Sequence, residues 1–232
     1  MNNIQIWGDS VLKGVVYDEQ SARYTTIDDN SVSIAAKETN INFLNGSRFG
    51  MTAKKACDMI LSHVKKKPAT EMAIIEYGGN DCNFNWEEIA MTPNDEHSPN
   101  TPIDSFKGCI QTMITALKNI NVKPILMTLP PLDAKKFFDW VTQNVVSAKN
   151  VLTWLGDINR IYRWQELYSL TILDLAKEND IEVIDTRKAF LSSQNFQSLL
   201  CKDGMHPNHK GQQIIAKAII DFFAGRKLCP QA

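Results

Sequence analysis

The stretch "IQIWGDSVLKG", residues 4–14, changes character in the middle. Residues 4–7 alternate apolar and polar side chains and end on a tryptophan, which is the pattern of a β-strand. Gly8, Asp9 and Ser10 follow at once. Glycine permits backbone angles that other residues avoid, and Asp and Ser bond readily to nearby backbone, so these residues predict a turn from strand to helix. We expect this turn to present Ser10 as a nucleophile.

Composition narrows the class of partner. The chain has 232 residues, of which 44% are hydrophobic, and this is ample for a buried core. A formal net charge of −1 provides no broad electrostatic attraction to nucleic acid or to anionic lipid. We therefore expect a small-molecule ligand and no nucleic-acid partner.

The same sequence favours a cytoplasmic location. The first residues, "MNNIQIWGDS", show neither the basic segment and apolar run of a secretory signal nor a small-residue cleavage site. No apolar stretch is long enough to span a membrane, so we expect no integral membrane association. The five cysteines are scattered and form no Cys-x-x-Cys pair, which favours reduced thiols.

Apolar runs alternate with amphipathic segments along the whole chain. The predicted strands cover residues 3–7, 41–45, 71–77, 123–129 and 181–185. Predicted helices cover residues 52–66, the segment from Thr101-Pro102 to Leu117, and the segment from about Asn208 to Phe223. Three strands show little internal alternation, as expected for strands buried on both faces. The pattern predicts one α/β domain with a three-layer α/β/α architecture and five parallel strands in the order 2-1-3-4-5.

Polar residues follow four of these strands. Ser10 follows the first strand, Gly50 lies after the second, and Asn80 follows the third within "YGGNDCNF". Beyond the fifth strand, "CKDGMHPNHKG" offers His206 as a base and Asp203 as the acid that orients it. The carboxyl ends of parallel strands share one edge of a sheet, where ligands of such folds bind. A nucleophile, a base and oxyanion donors at one edge are what acyl transfer requires.

These residues resemble a known family, the SGNH hydrolases, also called GDSL esterases and lipases. The resemblance rests on "GDS" near the N-terminus, the Gly-x-Thr stretch at Gly50, "GGND" after the third strand and "DGMHPN" near the C-terminus. It implies a single flavodoxin-like domain over residues 1–232, with Ser10 as nucleophile, His206 as base and Asp203 as its partner. It also implies an oxyanion hole formed by the backbone N–H groups of Ser10 and Gly50 and the side chain of Asn80, with no metal and no organic cofactor.

The implied activity is hydrolysis of a small-molecule carboxylic ester through an acyl-enzyme. The family resemblance covers acyl esters, thioesters, lysophospholipids and acetylated sugars, and the sequence does not choose among them. The polar loop at residues 82–100 is compatible with a polar alcohol group, but ordinary solvation explains its composition equally well.

Two features depart from the family pattern. Val11 stands where the nominal Gly-Asp-Ser-Leu motif has leucine, a change between apolar residues. The segment from about 130 to 168 is longer than a simple strand-to-helix connection and is predicted to be helical. It is rich in aromatic residues: Phe137, Phe138, Trp140, Trp154, Tyr162, Trp164 and Tyr168. Three interpretations stay open for it: a lid or acyl-pocket wall, a contact between copies in a homo-oligomer, and ordinary helix packing.

Rival functions also have to be weighed. Asp203, His206 and His209 recur at intervals of three and suggest a metal site, but helix periodicity would not bring all three to one tight face. A phosphate-binding protein is disfavoured because neither of the glycine-rich phosphate motifs is present. A catalytically silent small-molecule-binding protein on the same scaffold is the remaining alternative, and a measurement of turnover separates it from an esterase.

Overall fold

The computed structural model describes residues 3–66 and 70–226. Its strands are β1 (Asn3–Trp7), β2 (Val15–Asp18), β3 (Arg23–Thr26), β4 (Asn42–Asn45), β5 (Met72–Ile75), β6 (Lys123–Met127) and β7 (Glu182–Ile184). Its helices are α1 (Ser10–Lys13), α2 (Ser31–Thr39), α3 (Ala53–Val64), α4 (Trp86–Met91), α5 (Ile103–Lys118), α6 (Ala134–Thr142), α7 (Ala148–Leu155), α8 (Asn159–Glu178), α9 (Thr186–Leu191) and α10 (His209–Phe223). A 3-10 helix covers Phe196–Leu199.

Five of the strands form one parallel sheet in the order β4-β1-β5-β6-β7. β1 lies between β4 and β5, so that Ile4 is opposite Phe43 on one side and Met72 on the other. The predicted order 2-1-3-4-5 is therefore confirmed for the sheet strands. Strand order reverses at β1, and the crevice beyond its carboxyl end is where such sheets bind ligands.

Helices cover both faces of the sheet, as predicted. Successive residues of a strand point to opposite faces, and in β5 Ile74 belongs to one core cluster while Ala73 and Ile75 belong to another. The cluster around Ile74 includes residues of α2, α9 and α10, whereas the opposite cluster includes residues of α3, α5 and α8. Burial on both faces explains why β5 and β6 are apolar at nearly every position, whereas the edge strand β4 is mostly exposed.

The predicted helices are close to the observed ones, with small differences at their ends. Thr52 caps α3, since its side chain accepts a hydrogen bond from the Lys55 N–H. Pro102 lies just before α5 and not at its first helical position, with extended backbone angles. A proline in either place gives up no intrahelical hydrogen bond, so the pattern marks the start of the helix without fixing its first residue.

The antiparallel hairpin formed by β2 and β3 was not predicted. Its register places Tyr17 opposite Tyr24, and its two strands form a separate two-stranded sheet. Both strands are short, β3 is mostly exposed, and the connection lacks an Asn-Gly or Asp-Gly turn, so local sequence carries little hairpin signal. The ring of Tyr24 lies 4.9 Å from that of His206, which brings this hairpin to the edge of the sheet where the predicted site residues lie.

The aromatic segment at 130–168 forms α6, α7 and the first half of α8. Together with α4 these helices enclose a third core cluster, which includes Trp86, Phe137 and Val151. Trp140 instead packs edge-on against Tyr17 of the hairpin, with ring centroids 4.7 Å apart. Ordinary helix packing thus accounts for part of this segment, while Phe137, Trp154 and Trp164 also line the cavity described below.

Two further sequence expectations can be compared with the described residues. None of the helices there combines the length and the apolar character needed to cross a bilayer. Cys57, Cys82, Cys109 and Cys201 carry free thiols, as expected for reduced cysteines. Cys229 lies outside the described residues.

Candidate active site

Ser10 is the first residue of α1 and follows β1 directly after a two-residue turn. Asp9 caps this helix, because its carboxylate accepts a hydrogen bond of 2.8 Å from the Val11 N–H. The first N–H groups of a helix have no partner within the helix, and the Ser10 N–H makes no hydrogen bond to any other described residue. The turn therefore presents both the hydroxyl and the backbone N–H of Ser10 at the edge of the sheet.

Ser10, His206 and Asp203 form one chain of hydrogen bonds. His206 Nε2 lies 2.9 Å from Ser10 Oγ, and His206 Nδ1 lies 2.6 Å from Asp203 Oδ2. The carboxylate can only accept, so Nδ1 carries the proton and Nε2 is left to accept from the serine hydroxyl. All three residues are buried. The structure thus brings together the three residues that the sequence proposed as nucleophile, base and orienting acid.

Asp203 is held as a carboxylate by a full set of donors. Its Oδ1 accepts hydrogen bonds of 3.0 Å from the N–H groups of Met205 and His206. Its Oδ2 accepts from the His206 ring and, at 3.0 Å, from the Tyr24 hydroxyl. Burial alone would raise the pKa of this carboxyl, but the bonds to His206 and to the backbone outweigh burial and hold the pKa below its usual value. Asp203 is therefore ionised at neutral pH.

Asn80 lies beside this chain, but its amide is not an unpaired donor. Its Nδ2 donates to Asp9 Oδ2 at 2.9 Å and to the Met51 carbonyl at 3.1 Å. Both amide hydrogens therefore have partners within the protein. The bond to Asp9 fixes the amide orientation and the position of Asn80 relative to the turn that carries Ser10.

Gly50 is positioned by the residues on either side of it. The ring of Phe49 stacks on the His206 ring at 6.1 Å with a 5° angle between the planes, while the Met51 carbonyl accepts from Asn80. Gly50 itself is left-handed, with φ of +68°, a conformation that favours glycine. Its N–H makes no hydrogen bond within residues 3–66 and 70–226. It is thus an unpaired donor whose neighbours in the chain contact His206 and Asn80.

A further buried carboxyl, Glu76, lies behind Asp9 and was not predicted from the sequence. The Asp9 N–H donates to Glu76 Oε2 at 3.2 Å, and Glu76 is fully buried at the end of β5. Burial and then the charge of Asp9 raise the pKa of Glu76 well above its ordinary value, which favours the protonated carboxyl beside Asp9. A charged residue type within the apolar run "MAIIEY" was the signal that could have revealed it.

A cavity of about 290 Å³ opens beside Ser10, Asn80 and His206. Its walls are mainly aromatic and apolar, and they include Phe84, Trp86, Phe137, Trp154, Trp164 and Leu129. These residues come from the segment after β5, the loop after β6 and helices α4 and α6–α8. The cavity is of the size at which small-molecule sites begin, and it adjoins the serine.

Trp154 is held firmly at the wall of this cavity. The Arg160 guanidinium lies 4.8 Å from the Trp154 ring centroid and donates to the Trp154 carbonyl at 3.0 Å. The His97 ring makes a T-shaped contact with the same indole, with centroids 5.7 Å apart. Arg160 and His97 thus clamp the tryptophan in the cavity wall.

His209 lies apart from the chain of hydrogen bonds. It is the first residue of α10, it is exposed, and its Nδ1 is 3.8 Å from Asp29 Oδ1. His206 points instead toward Ser10. Asp203, His206 and His209 therefore do not converge as a set of metal ligands.

The fold and the site together define an α/β protein with a serine–histidine–aspartate site at the carboxyl edge of a parallel sheet. Residues 6–214 match the model of the GDSL-like Lipase/Acylhydrolase family. The chain therefore belongs to this family, which is the one that its sequence motifs resemble.

Individual relatives are distant. The chain is 23% identical over 151 residues to the GDSL esterase/lipase WDL1 of Oryza sativa subsp. japonica, covering 64% of this chain and 52% of the relative. It is 21% identical over 177 residues to the GDSL esterase/lipase CPRD49 of Arabidopsis thaliana, covering 74% of this chain and 62% of that protein. The chain thus spans between about half and three fifths of the length of these relatives.

Solved structures support the fold. A lipase/acylhydrolase from Enterococcus faecalis superposes over 100% of both chains with a TM-score of 0.65, at 18% sequence identity. At this identity the likeness bears on the fold alone.

Proposed function

We propose that this protein is a serine-dependent carboxylic ester hydrolase that works through an acyl-enzyme. The observation that carries the proposal is the buried hydrogen-bond chain from Ser10 Oγ through His206 to Asp203, with heavy-atom distances of 2.9 and 2.6 Å. A nucleophile within hydrogen-bond reach of a base, and a base oriented by a third group, is the arrangement that activates a hydroxyl. Family membership supports the same chemistry.

The reaction proceeds in two steps. His206 Nε2 takes the Ser10 proton while Oγ forms a bond to the ester carbonyl carbon, and the alcohol leaves with that proton as the C–O bond breaks. Water then gives a proton to the same nitrogen and attacks the acyl-enzyme, releasing the acid and restoring the serine hydroxyl. Asp203, ionised beside Nδ1, stabilises the imidazolium that forms in each step.

The oxyanion of each tetrahedral intermediate is stabilised by hydrogen-bond donors that point at it. We assign this role to the N–H groups of Ser10 and Gly50, which have no partner within the described part of the chain, and to the side chain of Asn80. Asn80 already donates both amide hydrogens, so the oxyanion must share or replace the 3.1 Å bond to the Met51 carbonyl. The bond to Asp9 is then the one that keeps the amide aimed at the oxyanion.

Asn80→Ala is expected to lower kcat by about a hundred- to a thousandfold with a smaller effect on KM, because the donor acts mainly in the transition state. Asn80→Asp should be at least as damaging. A carboxylate there would face the developing oxyanion, and it would also lie where Asn80 now donates to the Asp9 carboxylate. Steady-state kinetics on both variants provide the measurement.

Thermal midpoints of the same preparations separate catalysis from folding. If Asn80 only supports the turn after β5, both variants lose stability while kcat stays near that of the parent. Asn100→Ala is a suitable control, because its amide donates to the Asn80 carbonyl at 2.9 Å and so supports the same turn from outside the site. A loss of kcat in Asn100→Ala as large as in Asn80→Ala would remove Asn80 from the oxyanion hole.

The cavity favours an acyl ester with a sizeable apolar acyl group over an acetylated sugar. An acetyl group would leave most of the 290 Å³ unfilled, whereas an alkyl chain would contact the aromatic walls. The walls adjoin Asn80, which we assign to the oxyanion hole, so the carbonyl carbon and the cavity lie side by side. We therefore propose that the acyl chain, and not the alcohol, enters this cavity.

With p-nitrophenyl esters of increasing acyl length, kcat/KM should rise from acetate toward octanoate by about fourfold per methylene until the cavity is full. Trp154→Ala should lose most of this preference, because it removes a clamped wall, and should leave acetate turnover nearly unchanged. Leu152→Ala, an exposed residue of the same helix, is the matched control.

The ester panel has three informative failures. If the acetate ester is turned over as well as the longer esters, or better, the proposal that the acyl chain enters the cavity is wrong. If kcat/KM instead rises with the size of the alcohol in a parallel series of acetates, the alcohol occupies the cavity. No turnover of any ester by folded protein would favour the catalytically silent binding protein.

A further inference from the structure

Tyr24 makes a contact that the motifs of the chain do not predict. Its hydroxyl donates to Asp203 Oδ2 at 3.0 Å, the same oxygen that accepts from His206 Nδ1. Its ring also lies against the His206 ring, at 4.9 Å between centroids. The residue comes from β3, more than 170 positions away from Asp203 in the chain.

The contact completes the hydrogen bonding of the carboxylate. An ionised carboxylate offers about four acceptor sites, and Asp203 uses them for two backbone N–H groups, the His206 ring and the Tyr24 hydroxyl. Tyr24 is the only one of these four donors that lies outside the loop carrying Asp203 and His206. Without the Tyr24 hydroxyl, the negative charge of Asp203 would be stabilised by three hydrogen-bond donors and no longer by four.

Tyr24 is held as a neutral donor. Burial, followed by the charge of Asp203, raises the pKa of the Tyr24 hydroxyl far above neutrality. Its ring packs on Tyr17 of β2, on Phe49 and on Trp140 of α6, with centroids 5.4, 5.6 and 6.1 Å away. The hydroxyl therefore stays protonated and in place over the pH range in which a serine esterase works.

We propose that Tyr24 is a positioning residue for the reaction: by donating to Asp203 Oδ2 it limits how strongly that carboxylate holds a proton on His206. The inference rests on the proposed function. Without the hydroxyl, Asp203 concentrates its charge on the bond to His206 Nδ1, which favours the imidazolium. In this variant His206 becomes protonated, and so stops acting as a base, at a higher pH than in the parent. The position of its ring is also less tightly defined.

The groups that face these residues allow the direction of the effect to be stated. Asp9, from the turn after β1, also favours positive charge on His206, but it is unaffected by the change. Cys201 faces Tyr24 from the loop before Asp203, and burial raises its pKa to about 11, so it is neutral in the relevant range. Asp203 is therefore the charged group whose environment changes in Tyr24→Phe.

Tyr24→Phe removes the hydroxyl and keeps the ring, so the packing around His206 is preserved. We expect the acid limb of kcat/KM to move to higher pH by about 0.5 to 1 unit. Plateau kcat should fall by about three- to tenfold, which is the usual size of one lost hydrogen bond, with little change in KM. Active sites are counted by titration with a serine-directed phosphonate, so that misfolded protein does not enter kcat.

Tyr17→Phe is the matched control. It lies opposite Tyr24 in the same hairpin and packs on the same tryptophan, but its hydroxyl makes no hydrogen bond to any of the described residues. Its pH profile should coincide with that of the parent. An unshifted or acid-shifted limb in Tyr24→Phe, or an equal shift in Tyr17→Phe, would overturn the proposal.

A second measurement does not need turnover. The His206 ring protons can be followed by NMR as pH is varied, and the midpoint of this titration should be higher in Tyr24→Phe than in the parent. If no ester is hydrolysed, the proposed function fails while this midpoint still tests the Tyr24 contact. An unchanged NMR midpoint would reject the contact as a control on His206, whatever the enzyme kinetics show.

Discussion

Ser10→Ala is expected to abolish ester turnover, with a fall in kcat of about a millionfold, because the change removes the only atom that forms the acyl-enzyme bond. The helix should persist, since its cap is the Asp9 carboxylate and not the serine hydroxyl. The variant loses one hydrogen bond, to His206, so its thermal midpoint should stay close to that of the parent. Burst and steady-state kinetics with a p-nitrophenyl ester measure the loss.

A covalent probe makes the assignment of Ser10 independent of substrate choice. A serine-directed phosphonate should add one equivalent to the parent, located by mass spectrometry at Ser10, and none to Ser10→Ala. Ser62→Ala, an exposed serine of α3, should be labelled and should turn over like the parent. Unchanged hydrolysis by purified Ser10→Ala would refute the nucleophile and with it the proposed mechanism.

His206→Ala is expected to lose nearly as much activity as Ser10→Ala, because base and nucleophile act as one unit and their losses are not additive. The double variant should therefore be scarcely worse than either single one. His209→Ala is the control: this residue is exposed, faces Asp29 and should leave kcat essentially unchanged. If His209 proved indispensable and His206 dispensable, the base would be misassigned.

The pH dependence follows from the same assignment. A protonated imidazole cannot accept the Ser10 proton, so activity should fall as the pH is lowered. The pKa of Asp203 is lowered, so this carboxylate keeps its charge until well below neutral pH, and its protonation weakens the site only at the acid extreme. The acid limb of the parent therefore reports the loss of the base, and His206→Ala should show no such limb in its residual rate.

Local sequence was sufficient to predict the strands and the turns that carry the site residues. Apolar runs predicted the five sheet strands, and the alternation of strands with helices predicted the parallel sheet and its order. Parallel strands end at one edge, so the turns after them had to be neighbours. For this reason Ser10, Asn80 and the loop with Asp203 and His206 could be placed together before any distance was known.

The tertiary structure decided the contacts that no local pattern encodes. Tyr24 reaches Asp203 from an unpredicted hairpin, and a lone tyrosine in a short, mostly exposed strand carries no signal of its partner. The pairing of both Asn80 hydrogens and the clamp on Trp154 also join residues from separate elements. Periodicity and turn chemistry act over a few residues, whereas these contacts depend on how helices and hairpin pack around the sheet, and this is why they emerge only in the folded chain.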